Sequence, residues 1–154
     1  MKLKTIACAT LIAAALSATS ASHAQSAAAG NAVTAASAKE DGAVVTASGL
    51  VYRSLKDGTG PSPTASDKVK VHYRGTLPDG KEFDSSYKRN EAIEFPLSGV
   101  IKCWTEGVQR MKVGGKAKLT CPPAIAYGER GAGGVIPPNA TLLFEVELLA
   151  INGK

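Results

Sequence analysis

Two segments of this chain alternate between apolar and polar side chains, and this alternation restricts its fold class. In residues 68–74, valine and tyrosine alternate with lysine, histidine and arginine. Successive side chains of a strand point to opposite faces, so this pattern predicts a strand with one buried and one polar face. Residues 141–151 repeat it, with leucine, phenylalanine and valine on one parity and two glutamates on the other. The two segments predict a sheet that is covered on one face.

The remaining elements are shorter, and only one of them has the spacing of a helix. Apolar side chains recur at Trp104, Val108 and Met111, and two glycines follow, so we expect a helix over 104–111. Further strands are expected at 49–55, 81–84, 92–97 and 116–121. The pattern therefore predicts an α+β fold, in which an antiparallel sheet wraps over one short α-helix.

The first 24 residues have the three parts of a secretory signal peptide. Lys2 and Lys4 form a positive start, residues 6–16 are apolar, and Ala24 ends a small-residue cleavage pattern. The apolar part is too short to span a membrane. We therefore expect residues 1–24 to be removed on export, which would leave no membrane anchor.

Residues 25–47 have a different composition from the rest of the chain. Ala, Ser, Thr and Gly dominate, and only Val33, Val44 and Val45 are larger apolar residues. So little apolar area does not offset the entropy of ordering a chain, which predicts a flexible linker. A transient helix is the alternative, because Ala favours helices. The folded domain is then expected over 48–154.

The net charge limits the partners of the chain, and the cysteine content limits its possible disulfide bonds. The formal net charge of +5 is interspersed along the chain, so we do not expect nucleic acid as a partner. Once Cys8 leaves with the signal peptide, Cys103 and Cys121 remain as an even pair in an oxidising compartment. They form either a disulfide or two buried thiols, since their separation in space is not readable from sequence.

The sequence contains no set of ligands with the spacing of a metal or cofactor site. His72 is the only histidine after processing, and it falls on the polar face of its strand, where we expect it to be solvated. One histidine and two distant cysteines do not make a metal site. No nucleophile–base pair is evident either. We therefore expect a reaction without a covalent enzyme intermediate, a metal or a cofactor.

A series of short motifs over residues 49–149 carries a more specific signal. In chain order they are Val71-His72-Tyr73-Arg74-Gly75, Phe83-Asp84-Ser85-Ser86, Val100-Ile101, Trp104, Ala126-Tyr127-Gly128, Val135-Ile136-Pro137-Pro138 and Phe144. This series closely resembles the FKBP family of peptidyl-prolyl cis-trans isomerases. The resemblance implies that the sheet forms a half-barrel around the helix, and that the protein accelerates rotation about Xaa-Pro bonds.

The resemblance also assigns most of the aromatic residues to one proline pocket. The residues that it implies for catalysis are Asp84, Tyr127, Phe83 and Phe144. Those that it implies for substrate binding are Tyr73, Arg89, Phe95, Val100, Ile101, Trp104 and Ile136. In the family the aspartate is held by a tyrosine and an arginine, which match Tyr73 and Arg89. The alternative for Asp84 is a strand-end residue that caps the turn after it.

The chain departs from the family pattern at a few positions. Cys103 stands where a glycine usually precedes the pocket tryptophan, and Ala132 stands where a bulkier flap residue is common. The segment 97–100 is about two residues shorter than in the best-known small members. These departures bear on substrate preference and on affinity for macrolides.

The resemblance implies partners and a location as well. Proline-containing polypeptides that fold after export are the expected substrates, and macrolide FKBP ligands are the expected inhibitors. We expect a monomer, because residues 25–47 are too few for the helical dimerisation domain of some exported relatives. The periplasm is favoured over full secretion. A non-catalytic prolyl-binding chaperone module is the alternative function.

Overall fold

The computed structural model describes residues 31–152, in which seven strands form one sheet and two segments are α-helical. The predicted signal peptide, 1–24, lies outside the described residues. The strands are β1 Ala43–Val45, β2 Val51–Lys56, β3 Lys68–Thr76, β4 Glu82–Ser85, β5 Ile93–Pro96, β6 Lys116–Cys121 and β7 Leu142–Asn152. The helical segments are α1, residues 31–38, and α2, Lys102–Gln109. Short 3-10 turns cover Leu97–Gly99, Pro123–Ile125 and Gly128–Arg130.

All strand pairs are antiparallel, and the sheet runs in the order β1-β2-β6-β7-β3-β4. Strand β3 organises the functional end of the molecule. One edge of β3 pairs with β7, while the other edge pairs with β5 near its start and with β4 near its end. Residues that are far apart in sequence therefore meet along β3.

The alternating pattern of β3 and β7 is confirmed by the burial of their side chains. Val69, Val71 and Tyr73 are buried on β3, and the corresponding parity of β7 is buried too. These side chains form the core together with the buried face of α2. The predicted α+β class, an antiparallel sheet over a short helix, is confirmed.

Helix α2 is held close to β6 in two ways. A Cβ atom on Gly107 would come within 2.8 Å of the end of the Leu119 side chain, so any larger residue here would require Leu119 to move. Cys103 in the first turn of α2 is bonded to Cys121 at the end of β6, with a Cα–Cα distance of 5.8 Å. That distance lies in the usual range for a disulfide. The helix begins two residues earlier than predicted, at Lys102.

Part of the predicted linker is ordered, which corrects that expectation for residues 31–45. Residues 31–38 are helical, as in the alternative, and β1 pairs with β2 through Val44 opposite Tyr52. Strand pairing needs backbone hydrogen bonds rather than large apolar side chains, so the composition did not reveal it. Glu40 adds ion pairs to Arg53 at 2.9 Å and to Lys118 at 2.6 Å.

Within residues 31–152, neither helix has the length and hydropathy that crossing a membrane would require.

Candidate active site

A cavity of about 350 Å³ opens between β3, β4, β5, β7 and the start of α2. Every residue that the sequence assigned to the pocket lines this cavity except Arg89 and Ile136, and Gly99 is an additional lining residue. The lining residues are Tyr73, Phe83, Asp84, Phe95, Gly99, Val100, Ile101, Trp104, Tyr127 and Phe144. The volume falls in the range of small-ligand sites.

Trp104 lies at the bottom of the cavity because the first turn of α2 directs it towards the core. Its side chain is only 4% exposed. Three rings stand nearly perpendicular to the indole, with centroid distances of 5.2 Å for Tyr73, 5.5 Å for Phe95 and 5.4 Å for Phe144. Edge-to-face contacts of this kind are a favoured aromatic geometry. The indole N–H is buried without a hydrogen-bond acceptor among the described residues.

Gly75 on β3 makes room for two of the cavity walls. A Cβ atom at this position would lie 2.5 Å from the ring of Phe83 and 2.9 Å from that of Phe144. The two rings meet edge to face over this gap, 5.6 Å apart. Both rings therefore occupy space that the side chain of any other residue at position 75 would need.

The polar side of the cavity is built around the Asp84 carboxylate. The Tyr73 hydroxyl donates a short hydrogen bond to Oδ2 of Asp84, and Arg89 donates to Oδ1 at 2.6 Å. Arg89 also donates to the Tyr73 hydroxyl at 3.2 Å, which closes a three-membered network. The backbone N–H of Ser85 also donates to Oδ1 at 2.9 Å.

This network sets the charge of the carboxylate. Partial burial alone would raise the pKa of Asp84, but the hydrogen bonds from Tyr73 and Arg89 outweigh burial and lower the pKa below its ordinary value. Burial, followed by the hydrogen bond to Asp84, raises the pKa of the Tyr73 hydroxyl. At neutral pH the network therefore holds an ionised carboxylate, a neutral phenol and a guanidinium.

Two further predicted residues that line the cavity carry polar groups. Ile101 directly precedes α2, where the first N–H groups of a helix have no partner within the helix. Tyr127 is 40% exposed and lines both the main cavity and a second one of about 270 Å³ beside it. Ile136 lines only this second cavity, which also includes Ala132. Arg89 reaches the site only through its contacts with Asp84 and Tyr73.

The sequence reasoning missed one pair beneath the polar side of the site. His72 was expected to be solvated, yet it is half-buried, its Nδ1 lies 2.9 Å from the Ser86 hydroxyl, and its ring stacks on Tyr87. Strand parity places His72 on the outer face correctly, but it does not reveal a partner that lies in the turn after β4. Only the motif Phe83-Asp84-Ser85-Ser86 gave a signal at Ser86.

The chain resembles a known protein family over most of its length. The model of the family described as FKBP-type peptidyl-prolyl cis-trans isomerase matches residues 60–149 of the chain. The chain belongs to this family. The match includes every FKBP pocket residue assigned from the sequence.

Individual relatives agree with the family match. The chain is 54% identical over 114 residues to the FKBP-type peptidyl-prolyl cis-trans isomerase FkpA of Escherichia coli K12, covering 74% of this chain and 42% of FkpA. It is 59% identical over 117 residues to FkpA of Aeromonas hydrophila, covering 76% of this chain and 43% of the relative. The chain therefore spans less than half the length of these FkpA relatives.

Two solved structures also superimpose on this fold. The crystal structure of a peptidyl-prolyl cis-trans isomerase from Pseudomonas syringae pv. tomato matches with a TM-score of 0.79 at 39% identity. That match covers 86% of this chain and 98% of the other. The crystal structure of E. coli FkpA matches with a TM-score of 0.81 at 51% identity, covering 83% of this chain and 60% of FkpA.

Among residues 31–152, no three or more His, Cys, Asp or Glu side chains are grouped so that they could hold a metal ion.

Proposed function

We propose that the protein is a peptidyl-prolyl cis-trans isomerase that acts on exported polypeptides. The observation that carries the proposal is the cavity itself, an aromatic pocket with Trp104 as its floor and the ionised Asp84 carboxylate at its side. A proline ring is compact and apolar, so it suits the floor, while the peptide on either side needs the polar rim.

The physical basis of the reaction is the polarity of the amide bond. Resonance makes the Xaa-Pro bond nearly planar, and rotation faces a barrier of roughly 18–20 kcal/mol. A twisted amide has lost this resonance and is less polar than the planar one. An apolar pocket with little water therefore stabilises the twisted state relative to the planar state, without any covalent step.

The remaining residues hold the substrate while it rotates. Trp104 lies under the proline ring, and the aromatic and aliphatic residues around it form the walls. The Ile101 N–H and the Tyr127 hydroxyl donate hydrogen bonds to substrate carbonyls. Asp84, oriented by Tyr73 and Arg89, fixes the electrostatic environment of the rotating carbonyl. Ile136 contacts the substrate on the side of the second cavity.

The proposed cellular location, substrates and inhibitors rest on the sequence and on the family. The signal-peptide pattern of residues 1–24 supports export, and the resemblance to exported bacterial members supports the periplasm. Unfolded proline-containing polypeptides are the substrates, and macrolide FKBP ligands occupy the same pocket as inhibitors. The protein acts as a monomer.

The test is the cis-to-trans relaxation rate of short Leu-Pro and Ala-Pro peptides, with and without the protein. The proposal predicts acceleration that a macrolide FKBP ligand abolishes. A folded protein that binds the macrolide but leaves the rate unchanged would instead be a prolyl-binding chaperone. That alternative predicts that the protein prevents aggregation of unfolded polypeptides and that the macrolide abolishes this protection.

A further inference from the structure

Ser86 directly follows β4, and none of its surface is exposed. Its hydroxyl accepts the backbone N–H of Tyr73 at 2.8 Å and donates to the Tyr73 carbonyl at 3.3 Å. The backbone N–H of Ser86 donates to the same carbonyl at 3.0 Å. Every one of these bonds goes to the residue whose side chain holds Asp84.

The serine hydroxyl replaces a strand carbonyl. In an antiparallel ladder, residues of a hydrogen-bonded pair exchange N–H···O bonds in both directions. Since Arg74 is opposite Ser85, the next pair along would be Tyr73 and Ser86. Ser86 donates its own N–H as expected, but the N–H of Tyr73 goes to the serine hydroxyl. The backbone carbonyl of Ser86 is thereby released from the ladder.

That carbonyl closes the loop which carries Arg89. It accepts the N–H of Glu91 at 3.2 Å. Inside the loop, the N–H of Asn90 donates to the Tyr87 carbonyl at 3.1 Å, and Asn90 has a positive φ of 50°. Asparagine tolerates this left-handed conformation better than most residues. The chain thus turns immediately after β4 and brings Arg89 back to Asp84.

We propose that Ser86, with its hydroxyl held by His72, is the positioning residue that joins the Tyr73 strand to the Arg89 loop and so sets the geometry of Asp84. His72 is suited to this because its Nδ1 lies 2.9 Å from the hydroxyl, and because stacking on Tyr87, at 4.9 Å between centroids, fixes its ring. Ser86 does not touch the cavity. The inference rests on the proposed role of Asp84 and Arg89.

The test compares Ser86→Ala with Arg89→Ala and with the double variant. Activity is measured as kcat/KM for a Leu-Pro peptide per folded molecule, and the pKa of Asp84 is followed by NMR titration of its carboxyl carbon. Ser86→Ala is expected to lower kcat/KM roughly tenfold. Misplacing a positioned group by about 1 Å can cost about 100-fold, and the effect of Ser86 is smaller because it acts through another residue. The pKa of Asp84 should rise towards its ordinary value, because Arg89 is no longer held against it.

The double variant separates positioning from a general loss of stability. If Ser86 acts through Arg89, Ser86→Ala should lower the rate by less than about twofold when Arg89 is already alanine. Thr120→Val is the matched control, because it removes a buried hydroxyl that has no partner among the described residues. It should leave both the rate and the pKa of Asp84 unchanged.

Each outcome separates the two proposals. A Ser86→Ala variant that loses stability but keeps the wild-type rate per folded molecule and the wild-type pKa of Asp84 would overturn the positioning role alone. An Arg89→Ala variant with the wild-type rate would instead overturn the site assignment. If Ser86→Ala does not fold, His72→Ala decides. It should show smaller changes in the same directions, and unchanged values would overturn the proposal.

Discussion

The two sides of the cavity are held in place by different forces. Trp104 and Phe144 are each 4% exposed and belong to the hydrophobic core. The side chains of Asp84 and Arg89 are 39% and 44% exposed and are held by hydrogen bonds and one ion pair. The aromatic side is therefore part of what stabilises the fold. The polar side can change without unfolding the domain, because exposed ion pairs contribute about 0–1 kcal/mol.

This difference suggests how such a site tolerates sequence change. A substitution on the aromatic side alters both stability and activity, whereas one on the polar side alters activity nearly alone. Measuring the two quantities together on matched variants tests whether the division holds.

Phe144→Ala should have the largest effect, on both quantities. Removing a buried ring costs about 3 kcal/mol of unfolding free energy, and the pocket loses a wall next to Trp104. We expect the isomerisation rate per folded molecule to fall roughly 100-fold, equivalent to about 2.7 kcal/mol. Leu142→Ala is the control, since Leu142 is buried on the same parity of β7 and does not line the cavity. Equal rates for the two variants would contradict the account.

Asp84→Leu should lower the rate roughly tenfold or more, equivalent to about 1.4 kcal/mol, because Tyr73 and Arg89 lose the carboxylate that they orient. The free energy of unfolding should change by less than about 1 kcal/mol. Glu82→Leu is the matched control, because Glu82 pairs with Arg74 on the same pair of strands and lies outside the cavity lining. A wild-type rate for Asp84→Leu, with an unchanged circular dichroism spectrum, would show that the polar side of the cavity does not contribute to isomerisation.

Reduction of the disulfide should act on stability and hardly on the rate. Cys103 and Cys121 are separated by 18 residues, and opening a loop of this size costs about 3 kcal/mol. The bond fastens α2, which carries Trp104, to β6. Counting free thiols with and without reductant tests for the bond, and denaturant unfolding measures its contribution to the free energy of unfolding. A folded, reduced protein that has lost most of its activity would show that packing alone does not hold the floor.

A change of pH should have the smallest effect. The isomerisation rate should stay constant within about twofold between pH 6 and 8. Asp84 has a lowered pKa in the folded protein, so its contribution to stability and to the site is present above the ordinary value of about 3.9. That contribution is lost as the pH falls through the lowered pKa. Rates in citrate and phosphate buffers would test this, and a step near neutrality would point to a titrating group that the account omits.

The aromatic side of the site could be predicted from the sequence better than the contacts that hold the polar side and the edge of the sheet. Alternation along β3 places Tyr73 inside, and helical spacing places Trp104 inside, because both patterns follow from burial. The pairing of β1 depends on backbone hydrogen bonds, and the Ser86–His72 contact joins β3 to the turn after β4. Such contacts leave little trace in composition or periodicity. The FKBP motifs supplied the link between Asp84 and Arg89, which local patterns alone do not provide.

If isomerisation takes place in the cavity above Trp104, one titration will show it. Trp104 is the single tryptophan of the sequence, so tryptophan fluorescence, excited selectively over the four tyrosines, reports on this pocket. A macrolide FKBP ligand would be titrated into the protein while Trp104 fluorescence and the Leu-Pro relaxation rate are both recorded. The account predicts that both signals change with the same midpoint and that no acceleration remains at saturation. Acceleration that persists after the fluorescence change is complete would place the reaction elsewhere.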